Sequence, residues 1–152
     1  MSSFNPDDLL NATSTQPMST ELPPVPEGDY LAMVSKLNIR EPKTEGQSPI
    51  LENYWKIDDP KNSAAHNRTV RQSIFLDMAP DGKTLKDGPS DNIGLGRVRK
   101  ALGQNNKGQK WNIRMLEGGV ARIHVKHRAG EPGTRWEGRI FDEVDNVVSS
   151  RQ

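Results

Sequence analysis

The chain has 152 residues, of which 32% are hydrophobic and 27% charged, and its formal net charge is +1. This length fits one domain and excludes a large multidomain enzyme. The absence of cysteine excludes disulfides, thiolate zinc sites, iron–sulfur clusters and a cysteine nucleophile. No apolar run approaches the ~18 residues of a membrane span, and the N-terminus lacks the pattern of a signal peptide. We therefore expect an intracellular protein without a membrane segment.

The charge is distributed unevenly along the chain. Residues 1–30 contain five acidic side chains and no lysine or arginine, whereas residues 97–139 contain eleven basic and three acidic side chains. A surface with such a basic excess attracts polyanions, of which nucleic acid is the commonest. Basic side chains that only solvate the surface would give the same pattern.

The N-terminal segment is predicted to be a flexible acidic arm over residues 1–27, followed by one folded domain over residues 28–148. The arm is rich in Ser, Thr, Pro and Asn, and such a composition buries too little apolar surface to fold alone. Asn5 could cap a helical turn with Pro6 in its first position, and an unstructured segment is the alternative. The acidic arm could also compete with nucleic acid for the basic surface, so that deleting residues 1–27 would tighten binding.

Short apolar runs separated by turn residues predict strands from residue 28 onward. The first three predicted strands cover residues 29–37, 50–57 and 67–76. In the third, apolar residues alternate with more polar ones, which is typical of a strand with one buried face. The buried face would carry Val70, Ile74 and Leu76, and the other face Arg71, Ser73 and Phe75.

A helix is predicted between the third and fourth strands. It begins at Ser90 or Asp91 and ends at Gly103, which would adopt a left-handed conformation. Its core-facing side chains would be Leu95, Val98 and Leu102, with Ala101 beside them. A short extended or helical piece follows at residues 110–116.

The most regular segment predicts a hairpin of two basic strands. Residues 119–128 alternate apolar and polar side chains, a turn follows at residues 129–133, and residues 134–141 would form the fifth strand. The hairpin would bring five basic side chains together. They are Arg122, Lys126, Arg128, Arg135 and Arg139.

Each tryptophan stands beside a basic residue. Trp55 precedes Lys56, Trp111 follows Lys110, and Trp136 follows Arg135. Proteins that bind single-stranded nucleic acid combine a basic groove for the phosphates with aromatic rings that stack on the bases. The alternative is that these tryptophans fill the core, as large aromatic rings often do.

Catalytic and metal chemistry find little support in the sequence. The three histidines are not spaced as metal ligands, and no HExxH motif or aspartate-rich loop is present. Gly94-Leu95-Gly96 lacks the third glycine of a dinucleotide-binding fingerprint. We expect neither an enzyme nor a bound cofactor or metal.

Five segments, taken together, resemble a known family. They are Pro-Glu-Gly-Asp-Tyr at 26–30, Tyr-Trp-Lys-Ile at 54–57, residues 68–76, Leu-Gly-Arg-Val-Arg-Lys-Ala-Leu-Gly at 95–103, and residues 119–128 followed by 136–140. Their order is similar to that of the phage-encoded single-stranded DNA-binding proteins of the oligonucleotide/oligosaccharide-binding (OB) fold. The resemblance covers roughly residues 26–145.

The resemblance implies a mainly β, five-stranded OB-like barrel with one helix between strands three and four, and a nucleic-acid path over strands two and three. It implies sequence-independent binding and protection of single-stranded DNA in phage replication or recombination, in the cytoplasm of the bacterial host. Many such proteins end in an acidic C-terminal tail, whereas this chain carries its acidic arm at the N-terminus. The expected contact residues are Tyr54, Trp55, Lys56, Arg68, Arg71, Lys107, Lys110, Trp111, Arg122, Lys126, Arg128, Arg135, Trp136 and Arg139.

Two other functions fit the sequence. A virion decoration protein would combine a β-rich body with an arm that drapes over neighbouring subunits. A binder of double-stranded DNA or of RNA would use the same kind of phosphate contacts. The expected partners are single-stranded DNA and phage replication or recombination proteins, and the oligomeric state stays open, with a dimer as one option.

Overall fold

A computed structural model describes residues 4–44 and 46–150. They form a mainly β protein with a five-stranded antiparallel sheet and two helices, which confirms the prediction of a mainly β fold with five strands. The elements are α1 (Pro6–Leu10), β1 (Gly28–Arg40), β2 (Ile50–Ile57), β3 (Thr69–Phe75), α2 (Ile93–Ala101), a 3₁₀ turn (Ile113–Leu116), β4 (Val120–Ala129) and β5 (Ile140–Ser149). Within the described ranges, no helix is long and apolar enough to cross a membrane.

The strand order is β3-β2-β1-β4-β5, and all neighbouring strands are antiparallel. The long central strand β1 has two partners, because residues 32–40 pair with β2 and residues 28–33 pair with β4. A bulge between Val34 and Lys36 interrupts the β1–β2 register, and such a bulge bends its strand. In the described part of the chain no ladder joins β3 to β5, so the sheet is not closed into the predicted barrel.

The fifth strand lies later in the chain than predicted. Residues 134–138 form turns and bends instead of a strand, and β5 begins only at Ile140. Gly133 and Gly138 have φ of 80° and 83°, values that a regular strand does not contain. The prediction of a strand over residues 134–141 is therefore wrong for residues 134–139.

A bulge explains why the true fifth strand escapes pattern analysis. The β4–β5 register shifts between His124 and Val125, which leaves Asp145 without a directly paired residue. The buried Val144 and Val147 are consequently three positions apart, whereas an unbroken strand would separate them by an even number.

The core is formed by one face of the sheet, covered by α2. Trp55, Leu51 and Ile57 of β2 are fully buried. The core-facing side of α2 carries Leu95, Val98 and Ala101, with Leu102 partly buried beyond them, which confirms the predicted helical face. Gly103 follows with φ of 72°, as predicted for the residue that ends the helix.

Hydrogen bonds of the Asn92 side chain join the two ends of the long loop between β3 and α2. Its side-chain oxygen accepts a hydrogen bond from the Asp77 N–H at 2.8 Å, and its amide group donates to the carbonyls of Asp77 at 2.9 Å and Lys86 at 2.7 Å. Asn92 itself is left-handed, with φ of 52°. The helix therefore begins at Ile93, later than the predicted Ser90 or Asp91.

Replacing Asn92 with alanine should lower the free energy of unfolding by about 2–4 kcal/mol, because three hydrogen bonds are lost and alanine disfavours positive φ. Asn92→Gly is the matched control: it removes the same hydrogen bonds but tolerates the backbone conformation, so it should destabilise less than alanine. Urea unfolding of both variants measures the difference. Wild-type stability in Asn92→Ala would contradict this role.

The end of the predicted arm contacts the folded body. Val25 is fully buried; its N–H donates to the Asp142 carboxylate at 2.7 Å, and its carbonyl accepts from His127 Nε2 at 2.7 Å. The Glu27 carboxylate accepts from the His127 N–H at 2.9 Å. We call residues 21–27 the strap.

The segment before the strap is exposed throughout residues 4–20. It contains α1, where the Asn5 side chain accepts from the Asp7 N–H at 3.0 Å and Pro6 occupies the first position. This confirms the predicted helical turn. None of its residues is buried.

Candidate nucleic-acid interface

A groove runs along the face of β2 and β3 that is turned away from the core. We call it the strand groove. Because strand side chains alternate between faces, Trp55 points into the core and its neighbour Tyr54 points outward. Lys36 Nζ lies 5.5 Å from the centre of the Tyr54 ring. The floor of the groove consists of Tyr54, Thr69, Arg71 and Ser73.

The floor arginine is fixed by a buried carboxylate. Arg71 Nη1 lies 3.0 Å from Glu52 Oε2, and the second Glu52 oxygen accepts from Asn38 Nδ2 at 2.8 Å. Glu52 is only 5% exposed, whereas the Arg71 side chain is 51% exposed. Glu52 therefore anchors a guanidinium group that still faces the groove.

The walls of the strand groove come from the end of β1 and from the β4–β5 hairpin. Arg40 contributes from β1, and Lys126 and Arg128 contribute from β4. Glu143 of β5 lies 3.8 Å from Lys126 Nζ and 3.3 Å from Arg128 Nε. These side chains are about half or one third exposed, and such ion pairs contribute only ~0–1 kcal/mol. A phosphate can therefore displace Glu143 at small cost.

The groove is less basic than the predicted hairpin face. Its lining holds four basic side chains, Arg40, Arg71, Lys126 and Arg128, and three acidic ones, Asp142, Glu143 and Asp145. These acidic residues line the groove because β5 spans residues 140–149 and its acidic segment pairs with the basic strand β4. The basic face is thus partly neutralised in the free protein.

An aromatic–arginine cluster stands at the end of the hairpin, formed by Arg128, Arg135, Trp136, Arg139 and Phe141. The Arg128 guanidinium carbon lies 5.3 Å from the Phe141 ring centre, and Phe141 meets Trp136 edge to face at 5.7 Å. The guanidinium carbons of Arg135 and Arg139 lie 4.4 Å and 5.6 Å from the Trp136 ring centre. Trp136 remains 39% exposed. Since Arg128 and Phe141 also line the strand groove, the cluster extends that groove.

A close backbone approach shapes the loop that carries Trp136. The Gly130 N–H donates to the Arg139 carbonyl at 2.8 Å. A Cβ atom at Gly130 would lie 1.8 Å from the Trp136 carbonyl oxygen. Only glycine fits there, so the sequence Ala-Gly-Glu-Pro-Gly folds the loop back onto the hairpin stem.

The strap reaches the same cluster. Glu21 Oε1 lies 2.7 Å from Arg139 Nη2. Both side chains are substantially exposed, at 69% and 49%. The acidic segment therefore occupies one cation of the cluster in the free protein.

Replacing Glu21 with glutamine should tighten oligo-dT binding by about 1.5- to 5-fold, the factor expected for removing one exposed ion pair that competes with phosphate. Asp8→Gln is a control in the same segment, because Asp8 has no ion pair with the body in the described structure. Fluorescence titration at low salt measures both affinities. Weaker binding by Glu21→Gln would contradict competition. Deletion of residues 1–27 is a poorer test, since it removes the buried Val25.

His124 and Asp145 form an ion pair at the β4–β5 bulge. His124 Nδ1 lies 2.5 Å from Asp145 Oδ1. This hydrogen bond, supported by the charges of Asp145, Asp29 and Glu27, raises the pKa of His124 above its usual value of 6.5. Asp145 also lines the strand groove, so protonation of His124 offsets one of the groove's carboxylates.

His124 should make stability depend on pH. Because its pKa is raised in the folded state, the stabilisation is fully present below about pH 6.5 and disappears as the pH rises through the folded-state pKa. His124→Gln should therefore lower Tm more at about pH 5.5 than at about pH 8.5. Asp145→Asn should remove the same pH dependence. An equal Tm difference at both pH values would count against the pair.

Trp55 does not occupy the position that the sequence analysis expects. Its ring is fully buried, and its Nε1–H donates to Gln72 Oε1 at 3.0 Å inside the molecule. The expectation that it stacks on a base is wrong, because β2 turns Tyr54 and not Trp55 outward. Lys56 is exposed next to Thr69 of β3 but does not line the groove.

The structure separates the remaining expected contact residues into two groups. The strand groove and the cluster bring together Tyr54, Arg71, Lys126, Arg128, Arg135, Trp136 and Arg139. Arg68, Lys107, Lys110, Trp111 and Arg122 do not line that groove. Trp111 instead packs against the core edge beneath Arg99, with a guanidinium carbon 4.2 Å from its ring centre and its Nε1–H donating to Gln104 Oε1 at 2.8 Å.

Four groups on or beside the groove do not follow from the sequence pattern. Three are exposed, namely Lys36, Arg40 and Phe75, and the fourth, Phe141, is half-buried. Phe75 is 68% exposed on β3, on the face of Ser73. The alternation of the third strand places Phe75 on its polar face. An aromatic ring on that face indicates a residue that could contact a base. Phe141 could not be found, since it depends on the true position of β5.

Comparisons with known proteins do not assign the chain to a family. A scan against protein-family models and a search of curated proteins return no match. The residues described also contain no group of three or more His, Asp or Glu side chains placed to hold a metal ion. The strand groove and the aromatic–arginine cluster are the features of the described chain that bear on its function.

Proposed function

We propose that the protein binds single-stranded DNA without sequence preference and protects it during phage-type replication or recombination in the host cytoplasm. The observation that carries this proposal is the continuity of the strand groove with the aromatic–arginine cluster, through Arg128 and Phe141. Cations and partly exposed aromatic rings alternate along one path. This combination is the general requirement for binding a single strand.

Phosphates would contact the cations of the path. Arg40, Arg71, Lys126 and Arg128 lie along the groove, and Arg135 and Arg139 continue past its end. The Glu143 carboxylate pairs with Lys126 and Arg128, and the Glu21 carboxylate pairs with Arg139. Phosphates would take over these cations. The exposed ion pairs act as exchangeable partners, so their presence is compatible with binding.

Bases would stack on the outward-facing rings. Tyr54 offers a ring on the groove floor, and Trp136 and Phe141 offer rings at the hairpin end. Stacking on such rings requires bases that are free of a duplex stack, and it tolerates any base because every base has a π face. This favours single strands over duplex.

A partly open OB-like barrel, with no ladder between β3 and β5 in the described residues, is the finer fold that we propose. It is supported by the strand order, by the shared central strand β1, and by the position of α2 between β3 and β4. In an OB fold the second and third strands form the binding face. The strand groove has its floor on the corresponding strands of this chain.

The function is tested by titrating the full chain with oligo-dT at several salt concentrations. Binding through three to five phosphates should give a log–log salt slope of about −2 to −3.5, at ~0.7 per contact for single strands. Competition with duplex DNA and poly-U of equal length tests the choice of strand. Preference for oligo-dT supports the proposal, whereas absent binding or preference for duplex or RNA contradicts it. Co-purification with phage particles in place of DNA would favour the decoration protein.

A further inference from the structure

The exposed segment at the N-terminus carries apolar side chains that are mostly open to solvent. Phe4, Leu9 and Leu10 are 77%, 63% and 81% exposed, and α1 has no buried residue. The same short helix bears Asp7 and Asp8 in its first turn. It therefore presents an apolar patch with two negative charges beside it.

A second groove, which we call the helix groove, lies between the end of β1, the loop before α2, α2 itself and the loop after it. Its lining includes Ile39 and Ile93, which are 50% and 48% exposed. Basic side chains surround this apolar floor, and in the described part of the chain Lys83, Arg97, Lys100 and Arg114 form no ion pair. Its lining holds six basic and three acidic side chains.

The two features are complementary in both charge and polarity. Apolar side chains of α1 match the exposed isoleucines of the helix groove, and the aspartates match its unpaired cations. Contacts of the strap attach the chain to the folded body from residue 21 onward. The ten residues 11–20, which link α1 to the strap, contain no charged side chain. Fully extended, such a tether reaches ~33 Å, which is enough to cross to a neighbouring molecule.

We infer that α1 of one copy docks into the helix groove of a second copy, with Leu9 and Leu10 on the isoleucine floor and Asp7 and Asp8 beside its cations. In the single chain α1 has no buried residue, so its apolar face is available to another molecule. The contact joins two different surfaces of the same chain, so repetition builds a row of copies unless the geometry closes a ring. The docking site lies outside the strand groove and does not depend on DNA.

The test is the mass of the full chain in solution without DNA. Sedimentation equilibrium of the wild type should show a mass that rises above 16.9 kDa with concentration. Leu9→Ala/Leu10→Ala should weaken this association at least about tenfold, because two large apolar side chains lose their burial. Met18→Ala is the matched control: Met18 is 78% exposed in the same segment but lies outside α1, so its association should equal that of the wild type.

Charge reversal separates docking between copies from docking within one chain. Asp7→Lys/Asp8→Lys and Arg97→Glu/Lys100→Glu should each associate weakly alone. An equal mixture should recover association, because the basic arm of one variant meets the acidic groove of the other. Such recovery requires two different molecules.

A wild-type protein that stays monomeric at every concentration would overturn the inference. This holds also if α1 docks into the helix groove of its own chain, because that arrangement leaves the protein monomeric. Association unaffected by Leu9→Ala/Leu10→Ala would also overturn it, since another surface would then join the copies. Failure of the mixture to associate more strongly than either variant would contradict charge pairing between α1 and the helix groove. None of these results bears on oligo-dT binding by the strand groove, which is measured separately.

Discussion

Replacing both Lys126 and Arg128 with alanine should weaken oligo-dT binding by about tenfold or more, because two cations of the strand groove are lost. The log–log salt slope should fall in magnitude by ~1.4, at ~0.7 for each lost phosphate contact. Both side chains are about half exposed, so the melting temperature should change little. The titration at several salt concentrations gives affinity and slope together.

Two control variants sharpen this result. Arg122 lies on the outward face of the same strand but does not line the groove, so Arg122→Ala should affect affinity much less. Glu143→Gln should tighten binding, because it frees Lys126 and Arg128 from their carboxylate partner. Equal losses for Arg122→Ala and the double variant would show that general positive charge, and not the groove, attracts the DNA.

Trp136 and Trp55 should respond to substitution in opposite ways. Trp136→Ala removes an exposed ring of the aromatic–arginine cluster, and loss of one stacked base would lower binding by about 1–3 kcal/mol. Trp55→Ala empties a fully buried site and should lower the free energy of unfolding by about 3–5 kcal/mol. Oligo-dT titration and urea unfolding of both variants measure the contrast.

Fluorescence gives an independent version of the same test. Stacking of a base on Trp136 should quench its fluorescence when oligo-dT is added. Trp136→Phe keeps a ring that can stack but removes the indole, so this quench should largely disappear while binding persists. Trp55→Phe should keep the quench, because Trp55 is shielded in the core. A quench that vanishes in Trp55→Phe and survives in Trp136→Phe would contradict the placement of both rings.

The limits of sequence analysis are visible in β2. Ile50 and Tyr54 fall on one face of this strand and Leu51 and Trp55 on the other, so apolar residues stand on both faces. Alternation therefore cannot show which aromatic ring points outward. Packing decides which ring is buried, since Trp55 fills the core and donates a hydrogen bond to Gln72.

The hairpin shows a second limit. The first hairpin strand was predictable because its apolar residues Ala121, Ile123 and Val125 alternate without interruption. The second was not, because the bulge at Asp145 breaks the period and the turn before it contains strand-like residues. The cluster around Trp136 follows from this turn, so its three arginines and Trp136 were predictable, whereas Phe141 and the arrangement of the cluster were not.

In the folded chain the basic residues of the sequence do not form one continuous surface. Eight of the eleven basic residues in 97–139 are divided equally between the strand groove with its cluster and the helix groove, and Lys107, Lys110 and Arg122 line neither. Counting charges along the sequence cannot reveal the two surfaces, because α2 and β4 belong to the same basic segment but place their cations in different grooves. The acidic residues that offset the strand groove come from β5 and the strap, both outside the basic segment.

NMR chemical-shift mapping of the full chain with oligo-dT shows whether single-stranded DNA follows the strand groove onto the aromatic–arginine cluster. We expect large shifts at Tyr54, Arg71, Lys126 and Phe141 and at the Trp136 indole N–H. Shifts at Trp111 and Arg97 in the helix groove should be small. Shifts confined to the helix groove, or absent from both grooves, would contradict this path of the DNA.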